Sequence, residues 1–373
     1  MCLPEVRFRF IYEGTVRMIV IGADTHKQTH TIVAVDGATG RELGQLTFSS
    51  RPEGALEALA WAADLEPGSE RVWAIEDVRH VSGRLERELI RHGQAVVRVP
   101  PRLMAGARPA GRLRGKSDPI DAAAVALAAI RAGLESLPVA RLEGADLDLR
   151  RLLDRREDLV AERTREINRL RWALHDMHCP VEVPARAMDQ IGWTTKLKAW
   201  TARQSSVRGR IAHETLLRIR ALTRDINAYE RELDQLAREH ADVLIDNLVG
   251  CGSLTAAKIV GETAGIDRFR SEACYARSAG TAPVPVSTGR SDRHRLDRGG
   301  NRQLNLAFHR IAIYQARACP EARRYLERKQ AEGKTRREAL RCLKRQICRR
   351  TYNLLMTTHN TSGNAPAPAL ALT

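Results

Sequence analysis

MIVIGADTHKQTHTIVAVDG, residues 18–37, decides how this chain folds. Residues 18–24 are a short apolar run ending in an acid, and residues 30–36 alternate after a brief polar turn. Asp36-Gly37 is a turn signal and Leu43 to Phe48 is a further strand candidate, so three antiparallel strands in a meander are expected. Beyond them the pattern predicts a helix near 52–64, a buried strand at RVWAIE (71–76), a helix over 82–92, a strand at AVVRV (95–99) and a helix over 119–132. The order βββαβαβα is an α/β pattern with a mixed sheet.

That order resembles the ribonuclease H fold, and four acids take on meaning in it. Asp24 ends the first strand and Glu76 ends RVWAIE, while Asp118 and Asp121 sit in KSDPIDA (116–122). Pro119 suits the first helical position, which makes Asp118 the expected cap and puts Asp121 on the same helix face. In a ribonuclease H-like sheet the two strand ends and this helix start converge. Four carboxylates in a small volume are costly unless cations neutralise them. Hard oxygen ligands select Mg²⁺ or Mn²⁺, and two such ions about 4 Å apart can serve an in-line phosphoryl displacement. By contrast Asp36 reads as a turn residue, and Asp77 falls on the opposite strand face. His26 and Lys27 either touch a substrate phosphate or form a solvated turn.

The chain has 373 residues and a net charge of +16, which argues for a polyanionic partner. Residues 250–360 hold 23 Lys/Arg against 9 Asp/Glu, so +14 of that charge lies at the back and the front is nearly neutral. Aromatics are only 4%, too few for a single-strand binder built on many stacking platforms. No apolar run of 18 residues offers a membrane span, and no secretory cleavage pattern opens the chain, so a cytoplasmic, nucleoid-associated protein is expected. Seven scattered cysteines without a CxxC pair indicate neither zinc nor disulfides. The first core strand opens at Met18, which makes Met18 an alternative start to Met1.

From Leu147 the pattern becomes helical: Leu149, Leu152, Leu153, Val160, Ile167, Leu170 and Leu174 recur at roughly helical spacing, and a second such run covers 206–248. Two long amphipathic helices read as a hairpin or an intermolecular coiled coil, with Arg156 and Arg163 breaking the seam; a coiled-coil dimer is the expectation. LVGCGSLTAAKIVGE (248–262) matches a helix–hairpin–helix whose Gly250 and Gly252 expose amides to a DNA phosphate. A loop over 280–300 and helices over 301–318 and 321–357 follow. Four segments result: a catalytic domain at 18–145, a helical coiled-coil dimerisation region at 146–247, a mainly helical C-terminal domain at 248–358, and a disordered tail at 359–373.

Taken together, GADTHK (22–27), AIED (74–77), KSDPIDA, LVGCGSLTAAKIVGE and SAGTAPVPVSTGRSDRHRLDRGGNRQLN (278–305) resemble the DEDD-type insertion-sequence transposases. That group joins a RuvC-like N-terminal domain to a C-terminal transposase domain and is related to the invertase Piv. The resemblance implies a DNA recombinase acting as a dimer or tetramer on donor and target DNA, guided by a structured RNA. It implies Asp24, Glu76, Asp118 and Asp121 as catalytic ligands of Mg²⁺, and a hydroxyl nucleophile in the C-terminal domain. The family pattern puts a serine where this chain has Thr288, with Ser287 one residue earlier, so either hydroxyl is a candidate. Arg290, Arg293, Arg295, Arg298 and Arg302 crowd after that loop as nucleic-acid-binding residues that can neutralise a reacting phosphate. The alternatives are a RuvC-like metal-dependent junction nuclease and an inactive nucleic-acid-binding copy.

Overall fold

This computed structural model describes residues 17–77, 79–104, 117–286, 294–295, 297 and 299–363. Its contacts divide the chain into two units, one of residues up to 144 together with 264–275, the other of 145–263 together with the residues from 276 onward.

The first unit is built on five strands: β1 (Met18–Thr25), β2 (Thr29–Asp36), β3 (Glu42–Ser49), β4 (Glu70–Glu76) and β5 (Ala95–Val99). They lie in the order β3-β2-β1-β4-β5. β1, β2 and β3 are antiparallel neighbours, whereas β1, β4 and β5 run parallel. The mixed α/β sheet expected from the sequence is therefore present. Helices α1 (Pro52–Leu65), α2 (Arg79–Arg91), α3 (Pro101–Met104) and α4 (Asp118–Ala132) complete it. Strand alternation divides the core into two layers. Ile19, Ile21, Trp73 and Ile75 pack with Ala58 of α1 and Leu85 and Leu89 of α2. Val20, Val33, Val72, Ala74 and Val97 pack with Ala122, Val125, Ala126 and Ala129 of α4.

Gly22 sets the separation of α4 from the sheet. A methyl group there would lie 2.1 Å from the Ala122 carbonyl oxygen and 2.6 Å from the Ala126 nitrogen. Hydrogen at Gly22 and the run of alanines in α4 let the helix backbone rest directly on β1.

Asp36 is the turn residue that the sequence suggests. Its Oδ1 accepts from the Thr39 amide and hydroxyl, each at 2.7 Å, and its Oδ2 accepts from Arg17 Nε at 2.5 Å. Those bonds hold the carboxyl well below the usual carboxylate range, the Thr39 hydroxyl first and Arg17 next. A folded-state pKa lowered in this way contributes stability above the ordinary Asp range and loses it as pH falls through the lowered value. Asp36→Ala is therefore expected to lower Tm at pH 7, by an amount that narrows as thermal melts are carried below about pH 4, the ordinary Asp range.

The second unit contains α5 (Ala145–Asp176), α6 (Ile191–Thr201), α7 (Val207–His240), α8 (Asp242–Asn247), α9 (Ser253–Thr263), α11 (Arg302–Ala318), α12 (Pro320–Ala331) and α13 (Arg336–Gly363); α10 (Glu272–Ser278) spans the division. The seam expected of a coiled-coil dimer is filled from within the chain. Leu170 and Leu174 of α5 pack with Ala212, Leu216 and Ile219 of α7, and Leu159 with Leu222 and Ile226. The two arginines that interrupt the heptads are paired: Arg156 Nε donates to Glu230 at 2.9 Å, and Arg163 reaches Asp189 at 3.2 Å and the Thr223 hydroxyl at 3.2 Å. Pairing these part-buried arginines with acids and a hydroxyl is what lets the stripe tolerate charge.

Three boundaries differ from the sequence reading. The second C-terminal helix is interrupted between Ala331 and Arg336, where Gly333 takes φ +85°. α13 then runs to Gly363, past the expected start of the tail at 359, and 364–373 lie outside the described residues. The loop over 280–300 contains an antiparallel ribbon of β6 (Val284–Pro285) and β7 (His294–Arg295). Among the described residues no helix is long and apolar enough to cross a membrane.

Candidate active site

β1 and β4 are parallel, and their last pair is Ala23–Ile75. Asp24 and Glu76 are the next residues on the two strands, so both stand at the same end of the sheet. Even-numbered neighbours Val20, Val72 and Ala74 belong to the layer under α4, which puts Asp24 and Glu76 on that face by alternation. The N-terminus of α4 meets them there.

The start of α4 differs from expectation in a way that matters. Ser117, extended at φ −151°, is the cap residue, and its side chain makes no capping bond. Asp118 is already helical, so its carboxylate is not spent on the cap. Asp118 is 54% exposed at the side chain, whereas Asp121, one turn on, is buried. The positive end of the helix dipole favours both carboxylates at this end.

His26 joins this cluster. The turn after β1, closed by the His26 amide on the Thr29 carbonyl at 3.1 Å, brings its imidazole back over the strand end. Nε2 lies 3.2 Å from Asp24 Oδ2 and 3.6 Å from Asp118 Oδ1. Ligand atoms of Asp24, His26 and Asp118 all fall within 4.8 Å of one another, the spacing of a metal centre. Burial pushes the Asp24 carboxyl up, His26 opposes that, and the charges of Asp121 and Asp118 add to the rise. Burial and the two neighbouring carboxylates all disfavour the ionised form of Asp24, and a bound cation would relieve that cost. The donors fit a divalent ion bound mainly by oxygen. The sequence allows His26 as either a phosphate contact or a turn residue; its only signal as a neighbour of the carboxylates is its distance of two residues from Asp24.

The C-terminal candidates divide. Ser287, Thr288, Arg290, Arg293 and Arg298 lie outside the described residues. Arg295, on β7, and Arg302, at the start of α11, are both exposed. Of the two turn glycines, Gly252 has open space around it, while Gly250, at φ +85°, lies against the Tyr314 ring. The root of the 280–300 segment is closed tightly. Gly280 and Gly300 approach so nearly that a methyl on Gly300 would lie 2.1 Å from the Gly280 nitrogen. The Asn305 side chain donates to the Gly280 carbonyl at 2.6 Å, the Asn301 amide donates to the Ser278 carbonyl at 2.6 Å, and Asn301 Nδ2 donates to Glu262 at 2.7 Å. No local sequence pattern marks Asn301 and Asn305, because their partners are distant in sequence.

Comparisons with known proteins agree across most of the chain. Residues 21–179 match the transposase profile of the DEDD, IS110 type, and residues 242–327 match the transposase profile of the IS116/IS110/IS902 family. The chain is 28% identical over 376 residues to the 42 kDa protein of insertion element IS900 from Mycobacterium paratuberculosis, covering 87% of this chain and 92% of that protein. It is also 28% identical over 381 residues to the 44.8 kDa protein of insertion element IS116 from Streptomyces clavuligerus, covering 88% and 92%. A shorter match, 35% over 121 residues, links it to the 43.6 kDa protein of insertion element IS110 from Streptomyces coelicolor, covering 32% and 30%. Among solved structures, T. thermophilus RuvC in complex with a Holliday junction substrate overlaps 33% of this chain and 99% of its own, at 16% identity and a TM-score of 0.26, too loose a likeness to carry weight.

Proposed function

Because the chain belongs to the DEDD-type transposases of the IS110/IS116/IS902 family, we propose that it cuts and exchanges DNA strands with a divalent metal ion at Asp24, Glu76, Asp118 and Asp121 and a hydroxyl of the C-terminal region as nucleophile. The observation that carries this reading is the gathering of Asp24, Asp118 and His26 at the end of β1, with Asp121 acting on the Asp24 charge. A bound Mg²⁺ or Mn²⁺ would supply Lewis acidity toward a phosphate oxygen. The carboxylates would hold and orient it. His26 sits where it can take or give a proton at the strand end, its Nε2 facing Asp24 and Asp118.

In this proposal the hydroxyl of Thr288, or of Ser287, attacks a phosphorus atom of the DNA backbone. The hydroxyl proton leaves, an O–P bond forms to the protein, and the P–O bond to the departing strand breaks. A 3′ hydroxyl on that strand and a 5′ phosphate held on the protein result, so the phosphodiester energy is conserved for rejoining. Thr288 is β-branched and stiffer at χ1 than the serine of the family pattern. The basic back of the chain, +14 over residues 250–360, supports the nucleic-acid part, with donor and target DNA and a structured guide RNA as partners of a dimer or tetramer.

The test is to trap protein–DNA adducts and locate the modified peptide by mass spectrometry. Thr288→Ser is expected to keep or raise adduct yield, Thr288→Ala to abolish it, and Ser287→Ala to be milder. Adducts that survive Thr288→Ala and vanish in Ser287→Ala would move the nucleophile to Ser287. DNA cut with no adduct in any form would replace this reading with that of a metal-dependent nuclease.

A further inference from the structure

Beside the ribbon of β6 and β7 the second unit has a cavity of about 520 Å³. Gly280, Pro283, His294 and Arg295 form one wall, and α12 and α13 form the other with Lys329, Arg341, Lys344 and Arg345. Each of its acids Glu332, Glu338 and Asp297 has a basic or hydrogen-bonding neighbour, although Asp297 Oδ2 makes no hydrogen bond among the described residues. Glu332 takes Lys329 at 2.7 Å, Glu338 caps α13 through the Thr335 amide and hydroxyl at 2.9 and 2.7 Å, and Asp297 faces Arg277 at 3.3 Å.

Lys344 differs from the other cations of this wall. It is 6% exposed, and among the described residues its one hydrogen bond goes to a neutral acceptor, Asn305 Oδ1. No carboxylate lies within ion-pair distance of it among the described residues. A buried ammonium without an anion is costly. Burial first, then the Arg341 charge, press Lys344 down to about 8. His309 is also lowered, by burial and then by the Lys344 charge. Arg295 on the ribbon side and Lys329, Arg341, Lys344 and Arg345 on the helix side thus line a space open to a ligand.

We propose that this cavity is a phosphate subsite, in which the Lys344 ammonium receives one phosphodiester of a bound nucleic-acid strand at the root of the ribbon that leads to Ser287 and Thr288. The proposal rests on the reading of the chain as a nucleic-acid enzyme. Because Asn305 bridges Lys344 to the Gly280 carbonyl, an anion at Lys344 would also be coupled to the closed root of the 280–300 segment.

The experiment uses the full chain without divalent cations, so that binding is read apart from cleavage. DNA affinity is measured against salt for the wild type, Lys344→Met and Lys344→Arg, and melting is followed with and without inorganic phosphate. Lys344→Met is expected to flatten the log–log salt slope by about 0.7–0.9, the loss of one phosphate contact, while Lys344→Arg keeps it. Phosphate is expected to raise the Tm of the wild type and not of Lys344→Met. If Lys344→Met does not fold, Arg295→Gln on the exposed wall is expected to flatten the slope by a similar amount. Unchanged slopes in Lys344→Met and Arg295→Gln overturn the proposal. Phosphate stabilisation that needs Lys344, with a DNA slope that does not, overturns the strand assignment and leaves a free anion or mononucleotide as the occupant. A protein that shows the Lys344-dependent slope yet never forms an adduct would refute the covalent step and leave this subsite standing.

Discussion

Asp24→Asn is expected to reduce metal-dependent strand cleavage by more than about a hundredfold, since even groups that only support metal ligands are worth roughly 10- to 100-fold. The carboxylate is central to the cluster, within 3.2 Å of His26 and under the charges of Asp118 and Asp121. DNA affinity in the absence of metal should stay near wild type, because an acid contributes nothing to the grip on phosphate. Thermal melts give an independent readout. Asp24 is raised in the folded protein, so its ionised form opposes folding as pH rises through that raised value. Removing the charge should leave the metal-free Tm equal or higher at neutral pH. Mg²⁺ or Mn²⁺ should then stabilise the wild type and not the variant. As protons compete for Asp24, cation affinity should begin to fall at a higher pH than for an unperturbed aspartate. Wild-type cleavage in Asp24→Asn would refute the assignment of the acidic site.

Gly22→Ala is expected to be nearly as damaging by a different route. The added methyl would overlap the Ala122 carbonyl oxygen at 2.1 Å and the Ala126 nitrogen at 2.6 Å, and both are backbone atoms that cannot rotate away. Overpacking of a core costs about 1–3 kcal/mol, and a clash with helix backbone falls at the upper end. The relief available is for α4 to lift from β1, which carries Asp118 and Asp121 away from Asp24. Stability and cleavage should therefore fall together, the first by calorimetry and the second by strand-cutting assay. An added methyl in α4 at Ala123, which is only partly buried at the margin of the same layer, should do far less. A stable, fully active Gly22→Ala protein would show that the distance between β1 and α4 is not what positions the acids.

These two substitutions mark where sequence reading ends. The five strands were legible because their apolar runs are short, β-rich and separated by turn signals. The carboxylates were legible because an acid that ends an apolar strand needs a reason. The amphipathic stripes of α5 and α7 were equally plain, yet the same stripe satisfies a dimer or an internal hairpin. Periodicity names the buried face and does not name the partner. Leu159 against Leu222, and Arg156 against Glu230, are contacts that only the folded chain displays.

The sequence by itself determined the mixed sheet, the placing of Asp24, Glu76, Asp118 and Asp121 at element ends, the basic charge of the C-terminal third and the family of transposases to which these belong. Each of these is local, set by alternation, turn chemistry or composition over a few residues. Tertiary structure alone decided that Ser117 rather than Asp118 is the cap residue of α4, that His26 turns back onto the carboxylates, that Gly22 holds α4 against β1, and that Lys344 is buried with no acid within ion-pair distance among the described residues. Those outcomes depend on atoms brought together from distant parts of the chain. Lys344 and Gly280 are joined through Asn305, and Gly22 is in contact with Ala122, for reasons of packing that no window of sequence contains.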